Sequence, residues 1–367
     1  MSANSNWNIA NFRAGLVAGL RAADYEPVVI APQDPEAASR MEALDVDRIE
    51  VKIDRSGMNP VADLRLLYDY RRLLRRLRPA AYMSFTIKPN IYGARAAASC
   101  GIPAFPNVSG LGTAFIGNGG LQQIVTPLYR WGFRRAAKVF FQNSEDRNLF
   151  VERRIVGTAR TQVLPGSGVD LDRFTPALMP EGPPTFLLVG RMLRDKGIFE
   201  FAEAARHVRR QVPGARFQLL GPVDEGNRTA IGRGQLQEWV RDGTLEYCGT
   251  TEDVRPYIAG AWAVALPSYR EGLPRSLLEA GAMARPLIAT DVPGCRAVVK
   301  DGLNGYLCTV RDPLSLANAM IKLAALPAAS RFAMGAAARE TVAESFGEKR
   351  VINAYLEALS DVALSHG

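Results

Sequence analysis

Short apolar runs separated by helix-length stretches recur along almost all of this 367-residue chain, and that rhythm restricts the fold more than any other feature. In the second half TFLLVG, RFQLLG, LEYCG, AWAVALP, PLIAT and YLC are separated by helical segments such as FEFAEAARHVRRQ and SLLEAGAMA. Strands buried on both faces read as continuous apolar runs, so the pattern predicts a parallel sheet covered by helices on both sides. The first half repeats it more loosely, with PVVIAP, RIEVKI, AYMSFT, IPAFPNV and KVFFQN as strands. Between the halves, residues 164–186 hold three glycines and five prolines, which reads as a linker. The expectation is an α/β chain of two Rossmann-like domains joined near residues 166–184, whose parallel sheets face across a cleft. Ligands of open α/β sheets sit at the carboxyl ends of the strands, so that cleft is the expected active site. The expected boundaries are 1–165, 166–345 and, as a last helix packing back toward the first domain, 346–367. One part is missing from this layout. The helical run IANFRAGLVAGLRAA should follow a central first strand, yet only SANSNW precedes it. That strand is expected to be absent and the true start to lie upstream.

Several classes are excluded early. No apolar run approaches the roughly 20 residues that cross a bilayer, and MSANSNWNIANFR has no signal-peptide hydrophobic region. Cys100, Cys248, Cys295 and Cys308 lie far apart without a C-x-x-C pair, so neither zinc nor a disulfide framework is indicated. The net charge of +8 is unevenly spread: residues 1–165 carry 22 Lys and Arg against 14 Asp and Glu, and the remainder 23 against 23. The first half alone should therefore meet an anionic surface, nucleic acid or membrane. No aromatic stacking platform or recognition motif accompanies the arginines, which argues against nucleic acid. In LRLLYDYRRLLRRLRP, from Leu64, the apolar residues Leu66, Leu67, Tyr70, Leu73, Leu74 and Leu77 share one helical face. Arg65, Arg72 and Arg76 line one flank, and Arg71, Arg75 and Arg78 the other. Arg130, Arg134, Arg135 and Lys138 form a second cluster.

Phosphate-binding signatures come next. No G-x-x-x-x-G-K-[ST] is present, and GSGVDL at Gly166 and GLGTAF at Gly110 each lack the third glycine of the dinucleotide fingerprint. GRMLRDKG, from Gly190, directly follows the strand TFLLV. It sets Arg191 and Lys196 at the strand's carboxyl end, either as a diphosphate site or as two solvated loop cations. PSYREGLPRSLLEAGA, from Pro267, reads as a strand exit, a loop holding Glu271, and a helix with Pro274 as its first residue. Backbone amides of Gly272, Leu273 and Arg275 would then favour negative charge. Glu279, inside the helix, needs a partner if buried, and ribose hydroxyls would serve; the alternative is that both glutamates are surface residues. Glycoside hydrolysis wants two acids on opposite sides of a sugar, whereas these come from one loop and the helix it enters. The D-x-D pairs Asp45–Asp47 and Asp170–Asp172 fall before a strand and in the linker; Asp170 is expected to cap a turn, and no metal is expected.

GRMLRDKG, PSYREGLPRSLLEA and PLIATDVPGCRAVVKDGLNGYL together resemble the carboxyl-terminal domain of glycosyltransferase family 4, retaining enzymes of the GT-B fold. WNIANFR, SFTIKPNIYG, NVSGLGTAF, VFFQNSEDRNLF and LPGSGVDLDRF resemble a subgroup that builds bacterial surface polysaccharides, including enzymes that add N-acetylgalactosamine to an undecaprenyl-diphosphate-linked sugar. The resemblance implies that Arg191 and Lys196 bind the diphosphate of a UDP-sugar, that Glu279 bonds the ribose, and that Glu271 faces the transferred sugar beside the amides of Gly272 and Leu273. Gly110, Leu111 and Gly112 would be the amino-terminal domain's side of the donor site. Many members carry a histidine near the sugar, which His207 and His366 do not match; Lys88 and Asn90 stand in that region, with Arg13 a further candidate for acceptor or sugar contact. The resemblance thus implies a glycosyltransferase using a lipid-diphosphate-linked saccharide, with no cofactor or metal and no nucleic acid. A sugar-nucleotide epimerase of the same fold is the alternative. A lipid-linked acceptor directs the basic half toward an anionic membrane surface, so the expected location is peripheral, on the inner face of the cytoplasmic membrane.

Overall fold

The computed structural model describes residues 1–54, 59–110, 120–227 and 229–366. The chain divides into two compact units, one comprising Met1–Ser167 with Glu348–Gly367 and the other Gly168–Gly347.

In the first unit the strands are β1 (Val29–Ala31), β2 (Arg48–Glu50), β3 (Tyr82–Ser84), β4 (Ala104–Val108), β5 (Val139–Phe141) and β6 (Thr161–Val163). β1 pairs with β2, and β3 to β6 pair in chain order, all parallel. Ser2 lies between the two groups and bridges Ile30 and Ser84, both in parallel. Its N–H donates to Met83 O at 2.8 Å and its carbonyl accepts from Phe85 N–H at 3.1 Å. The expectation that nothing before the first helix could take the central strand's place is thereby corrected. Met1 and Ser2 hold that position together: both backbone groups of Ser2 face β3, while the Met1 carbonyl accepts from Ile30 N–H of β1 at 2.8 Å, so the facing backbone groups of both neighbours are satisfied.

Side chains alternate across the sheet as strand geometry requires. Phe140 joins one core with Met83, Phe85 and Phe105, while Val139 and Phe141 join the other with Tyr82 and Ala104. The helices α1 (Asn6–Phe12), α2 (Ala14–Ala22) and α3 (Ala38–Ala43) close the first core. The second is closed by α4 (Pro60–Leu77), α5 (Ala94–Ser99), α6 (Gly120–Phe133) and α7 (Ser144–Glu152).

The second unit contains β7 (Thr185–Val189), β8 (Arg216–Leu220), β9 (Glu246–Tyr247), β10 (Ala263–Leu266), β11 (Leu287–Thr290) and β12 (Gly305–Cys308), in the order β12-β11-β10-β7-β8-β9, all parallel. The order reverses between β7 and β10, which makes their carboxyl ends the topological switch point. On one face lie α8 (Ile198–Gln211), α9 (Arg233–Arg241) and α13 (Pro313–Ala324). The other carries α10 (Arg255–Ala259), α11 (Arg275–Ala282), α12 (Pro293–Val298) and α14 (Ala328–Ser345). The chain then ends in α15 (Glu348–His366), whose Val351, Ala354, Tyr355 and Ala358 belong to the first unit's core with α1 and α2.

The stretch read as a linker is shorter than expected. From Val169 onward it is fixed to the second unit: Val169 N–H donates to Phe346 O at 2.9 Å, and Phe174 is buried. Arg285, fully buried on α11's exit, donates to the carbonyls of Ala177 and Leu178 at 2.9 and 2.6 Å and to those of Ile258 and Ala259 at 3.0 and 2.8 Å. This segment joins no strand or helix, so its carbonyls lack ladder partners and are gathered by one planar guanidinium. Asp170 does cap the turn, its Oδ1 accepting from Asp172 and Arg173 N–H at 2.9 Å each.

Candidate functional site

The second unit's candidates converge on the switch point. After β7 the chain passes Gly190 and Arg191 into a tight turn at Arg194–Lys196 and leaves it through Gly197, φ +72°. A Cβ on Gly197 would stand 2.1 Å from Pro267 O, so only glycine lets the β7 turn rest on the exit of β10. The Glu271 loop is held in the same way from the other side: a Cβ on Gly294, at the start of α12, would meet Gly272 O at 2.4 Å. These two close approaches set Lys196 against Glu271, and Lys196 Nζ contacts Glu271 Oε1 in a pair largely shielded from water.

The helix after Glu271 departs from expectation by one residue. Pro274 is the N-cap, φ −78° and ψ 113°, and Arg275 is the first helical residue. An extended ψ before the first turn leaves proline outside the helix, where it supplies no side-chain cap. The N–H groups of Leu273 and Ser276 make no hydrogen bond among the described residues, so the positive end of α11 is uncovered beside Glu271. Glu279, on the next turn, accepts from Arg275 Nε at 2.8 Å. Burial pushes its carboxyl above the usual range, against the opposing pull of Arg275 and Arg173. Arg191 does not join this group. It is half exposed and pairs at 2.9 Å with Asp224, a residue that sequence reasoning missed although it follows the end of β8 as Arg191 follows β7. Tyr269, also missed, bonds Glu200 Oε1 at 2.7 Å under the Arg311 guanidinium, and burial with that bond pushes its phenol up to about 12.

In the first unit Lys88, Asn90 and Gly110 line one cavity of about 230 Å³ at the carboxyl ends of β3 and β4, with Asn4, Thr86 and Ser109. Lys88 and Asn90 are carried by a π-helical turn, Pro89–Gly93, and the residue before it; such turns widen a helix locally and re-aim side chains. Asn90 is buried, donates from Nδ2 to Asn107 O at 2.8 Å, and leaves Oδ1 without a partner. Lys88 Nζ lies 2.7 Å from Asp63 Oδ1, and the Tyr92 hydroxyl donates to Asp63 Oδ2 at 2.9 Å, so α4 fixes the lysine. Nothing in the spacing of the sequence joins Asp63 to Lys88. Arg13 does not line the cavity: it is buried with its guanidinium 4.3 Å over the Phe85 ring. Leu111 and Gly112 lie outside the described residues. Among those described, no three His, Cys, Asp or Glu side chains gather as a metal set would.

The two units match two families. Residues 9–166 match the family described as glycosyl transferase 4-like domain, and residues 183–325 that described as glycosyl transferases group 1. Over 84% of each chain the protein is 26% identical to the N,N'-diacetylbacillosaminyl-diphospho-undecaprenol alpha-1,3-N-acetylgalactosaminyltransferase of Campylobacter jejuni. It is 25% identical to the UDP-Gal:alpha-D-GlcNAc-diphosphoundecaprenol alpha-1,3-galactosyltransferase of Escherichia coli, over 72% of this chain and 71% of that one. Among solved structures, an Anabaena protein in complex with UDP and glucose superimposes with a TM-score of 0.80 over 98% of both chains at 16% identity. A Rickettsia africae glycosyltransferase gives 0.78 over 99% of this chain and 97% of that one at 15% identity. At such identities the likeness to the solved structures concerns the fold.

Proposed function

The chain belongs to the group 1 glycosyltransferases of GT-B fold, and from that premise we propose that it moves an N-acetylhexosamine from a UDP-sugar to a saccharide carried on a lipid diphosphate, retaining the configuration at the transferred carbon. The reaction serves the synthesis of a surface polysaccharide or glycan. The observation that carries this reading is the contact of Lys196 with Glu271 at the switch point, beside the uncovered start of α11. A departing nucleoside diphosphate gains negative charge as the glycosidic bond breaks. A fixed ammonium and helix N–H groups stabilise that growing charge without reorganising. Lys196 and the N–H groups of Leu273 and Ser276 take this role, with Arg191 leaving Asp224 for a phosphate oxygen. Glu271 orients the sugar hydroxyls, and Glu279, steadied by Arg275, accepts from the ribose. With these cations on the diphosphate the transfer needs no metal. The saccharide end of the acceptor contacts Lys88 and Asn90 in the first unit's cavity. The names of the two relatives, both acting on diphospho-undecaprenol-linked sugars, support the acceptor class.

The test is incubation of the protein with radiolabelled UDP-sugars and a lipid-diphosphate-linked saccharide, with and without EDTA. Transfer of label to the lipid fraction, undiminished by EDTA and with the anomeric configuration of the donor by NMR, is expected. Loss of transfer in EDTA that Mn²⁺ restores would refute the metal-free chemistry. Interconversion of the UDP-sugar without acceptor would mark an epimerase instead.

A further inference from the structure

We propose that the first unit's cavity reads an acetamido group on the acceptor's sugar, with Asn90 and Lys88 as the residues that select it. The inference rests on the reading above in that the acceptor saccharide enters this cavity, and it adds which saccharides do. Two hydroxyls lining the cavity are already engaged: Thr86 Oγ1 accepts from Asn4 N–H at 2.9 Å, and Ser109 Oγ donates to Phe85 O at 3.0 Å. Asn90 is not. Its side chain is buried, and because Nδ2 faces a backbone carbonyl, that of Asn107, the orientation of the amide is fixed and Oδ1 is the end left without a donor. A buried acceptor of this kind calls for a partner. Lys88 carries three N–H groups and makes no ion pair or hydrogen bond among the described residues other than that with Asp63, so donors remain there too. Ile53 and Val108, both buried, make an apolar part of the wall. The group that fits gives an N–H to Asn90, an oxygen to Lys88 and a small apolar end to Ile53 and Val108. Those are the three parts of an acetamido group.

Other chemistries fit less well. A phosphate would set its oxygens against Asn90 Oδ1, acceptor facing acceptor, and the charge of Lys88 is already balanced by Asp63. A sugar hydroxyl would answer the polar groups and leave the apolar wall against a polar ring edge. The two residues are also held firmly enough to discriminate. Their turn is anchored by the Tyr82 hydroxyl, which donates to Pro89 O at 3.2 Å, and by Asn90 N–H, which donates to Thr86 O at 2.8 Å. Two glycines let neighbours close on it: a Cβ on Gly93 would overlap the Tyr82 hydroxyl, and one on Gly132 of α6 would stand 2.8 Å from Ile91 O. On so fixed a backbone, a ligand that lacks the amide leaves buried polar groups unpaired and is rejected.

The experiment gives the full chain short-chain lipid-diphosphate acceptors whose sugar is N-acetylglucosamine, N-propionylglucosamine or glucose, with a UDP-N-acetylhexosamine as donor. The kcat/KM for the acetylated acceptor should exceed that for the glucose acceptor by about 100-fold or more. Asn90→Leu should bring this ratio below about tenfold, the change lying in the acceptor's KM and not in the donor's. Ile53→Ala, which leaves the amide's partners in place, should move the preference toward the propionyl acceptor, and it decides the matter should circular dichroism show Asn90→Leu unfolded. Without donor, saturation-transfer NMR should mark the acetyl methyl protons of the acceptor most strongly. Equal kcat/KM for the acetylated and glucose acceptors overturns the proposal and leaves the transfer reaction standing, as does a ratio that a folded Asn90→Leu leaves unchanged. Saturation of the acetyl methyl of the UDP-sugar in place of the acceptor's overturns it too, because the cavity would then serve the donor. Saturation of the acceptor's acetyl methyl by a protein that transfers no sugar would refute the function proposed above and leave the reading of the acetamido group intact.

Discussion

Lys196 and Glu271 meet with side chains only 24% and 12% exposed, so each depends on the other for neutralisation while both remain reachable by a ligand. Lys196→Met should lower kcat/KM for the donor by two orders of magnitude or more, the consequence of losing a charge-assisted contact to diphosphate. Stability should fall by about 3 kcal/mol, because Glu271 is then left largely buried without its partner; steady-state kinetics and urea unfolding check the two effects separately. Glu279 gives a prediction with a sign in pH. A carboxyl held above its unfolded value binds its proton more tightly when folded, so stability is fully present below the ordinary carboxylate range and declines as pH rises through the raised value. Glu279→Gln removes that decline. Its unfolding free energy relative to the parent should therefore climb as pH rises above the ordinary carboxylate range, and its KM for the donor should increase at every pH. A flat difference would mean that Glu279 carries no burial cost. At this scale the sequence announced residue types well and partners poorly: Arg275 stands at helical pair spacing before Glu279, yet the sequence reading gave it only a backbone amide's role, and Asp224 beside Arg191 and Asp63 beside Lys88 are brought there by the fold.

The elements that carry these side chains are short, and their precision comes from backbone contacts that leave no room for a Cβ. Gly197 is the clearest case, with φ +72° and Pro267 O where a side chain would begin. Gly197→Ala should therefore cost more than 1 kcal/mol, since both the conformation and the space are wrong for alanine. It should also weaken donor binding by displacing Lys196. Isothermal titration with UDP together with thermal unfolding would report this; donor affinity equal to the parent's would show that the β7 turn does not set the lysine. The alternation of apolar runs made strands and helices legible, including the loop that holds Glu271. The N-cap position of Pro274 was not, because proline is compatible with either side of a helix boundary and the surrounding packing chooses.

At the scale of the molecule, the last helix belongs to the unit in which the chain began. Tyr355 on α15 is fully buried, its hydroxyl accepting from Asn107 Nδ2 at 2.8 Å and its ring 4.5 Å from that of Phe140. Ending the chain at Gly347 should uncover this core and unfold residues 1–167 selectively while residues 168–347 keep their own transition. Differential scanning calorimetry should show one transition shifted down and the other unmoved; a uniform shift would contradict the independence of the two cores. By itself the sequence determined the parallel α/β class and the identity of the residues at the ends of β7 and β10, because apolar periodicity and helix punctuation are local properties that survive any packing. Only the tertiary structure decided that Met1 and Ser2 complete the central strand position, that the Gly and Pro stretch after Ser167 is bound by Arg285, and that Lys88 is held by Asp63. Those depend on which surfaces are covered, and burial is a property of the assembled layers rather than of any window of residues.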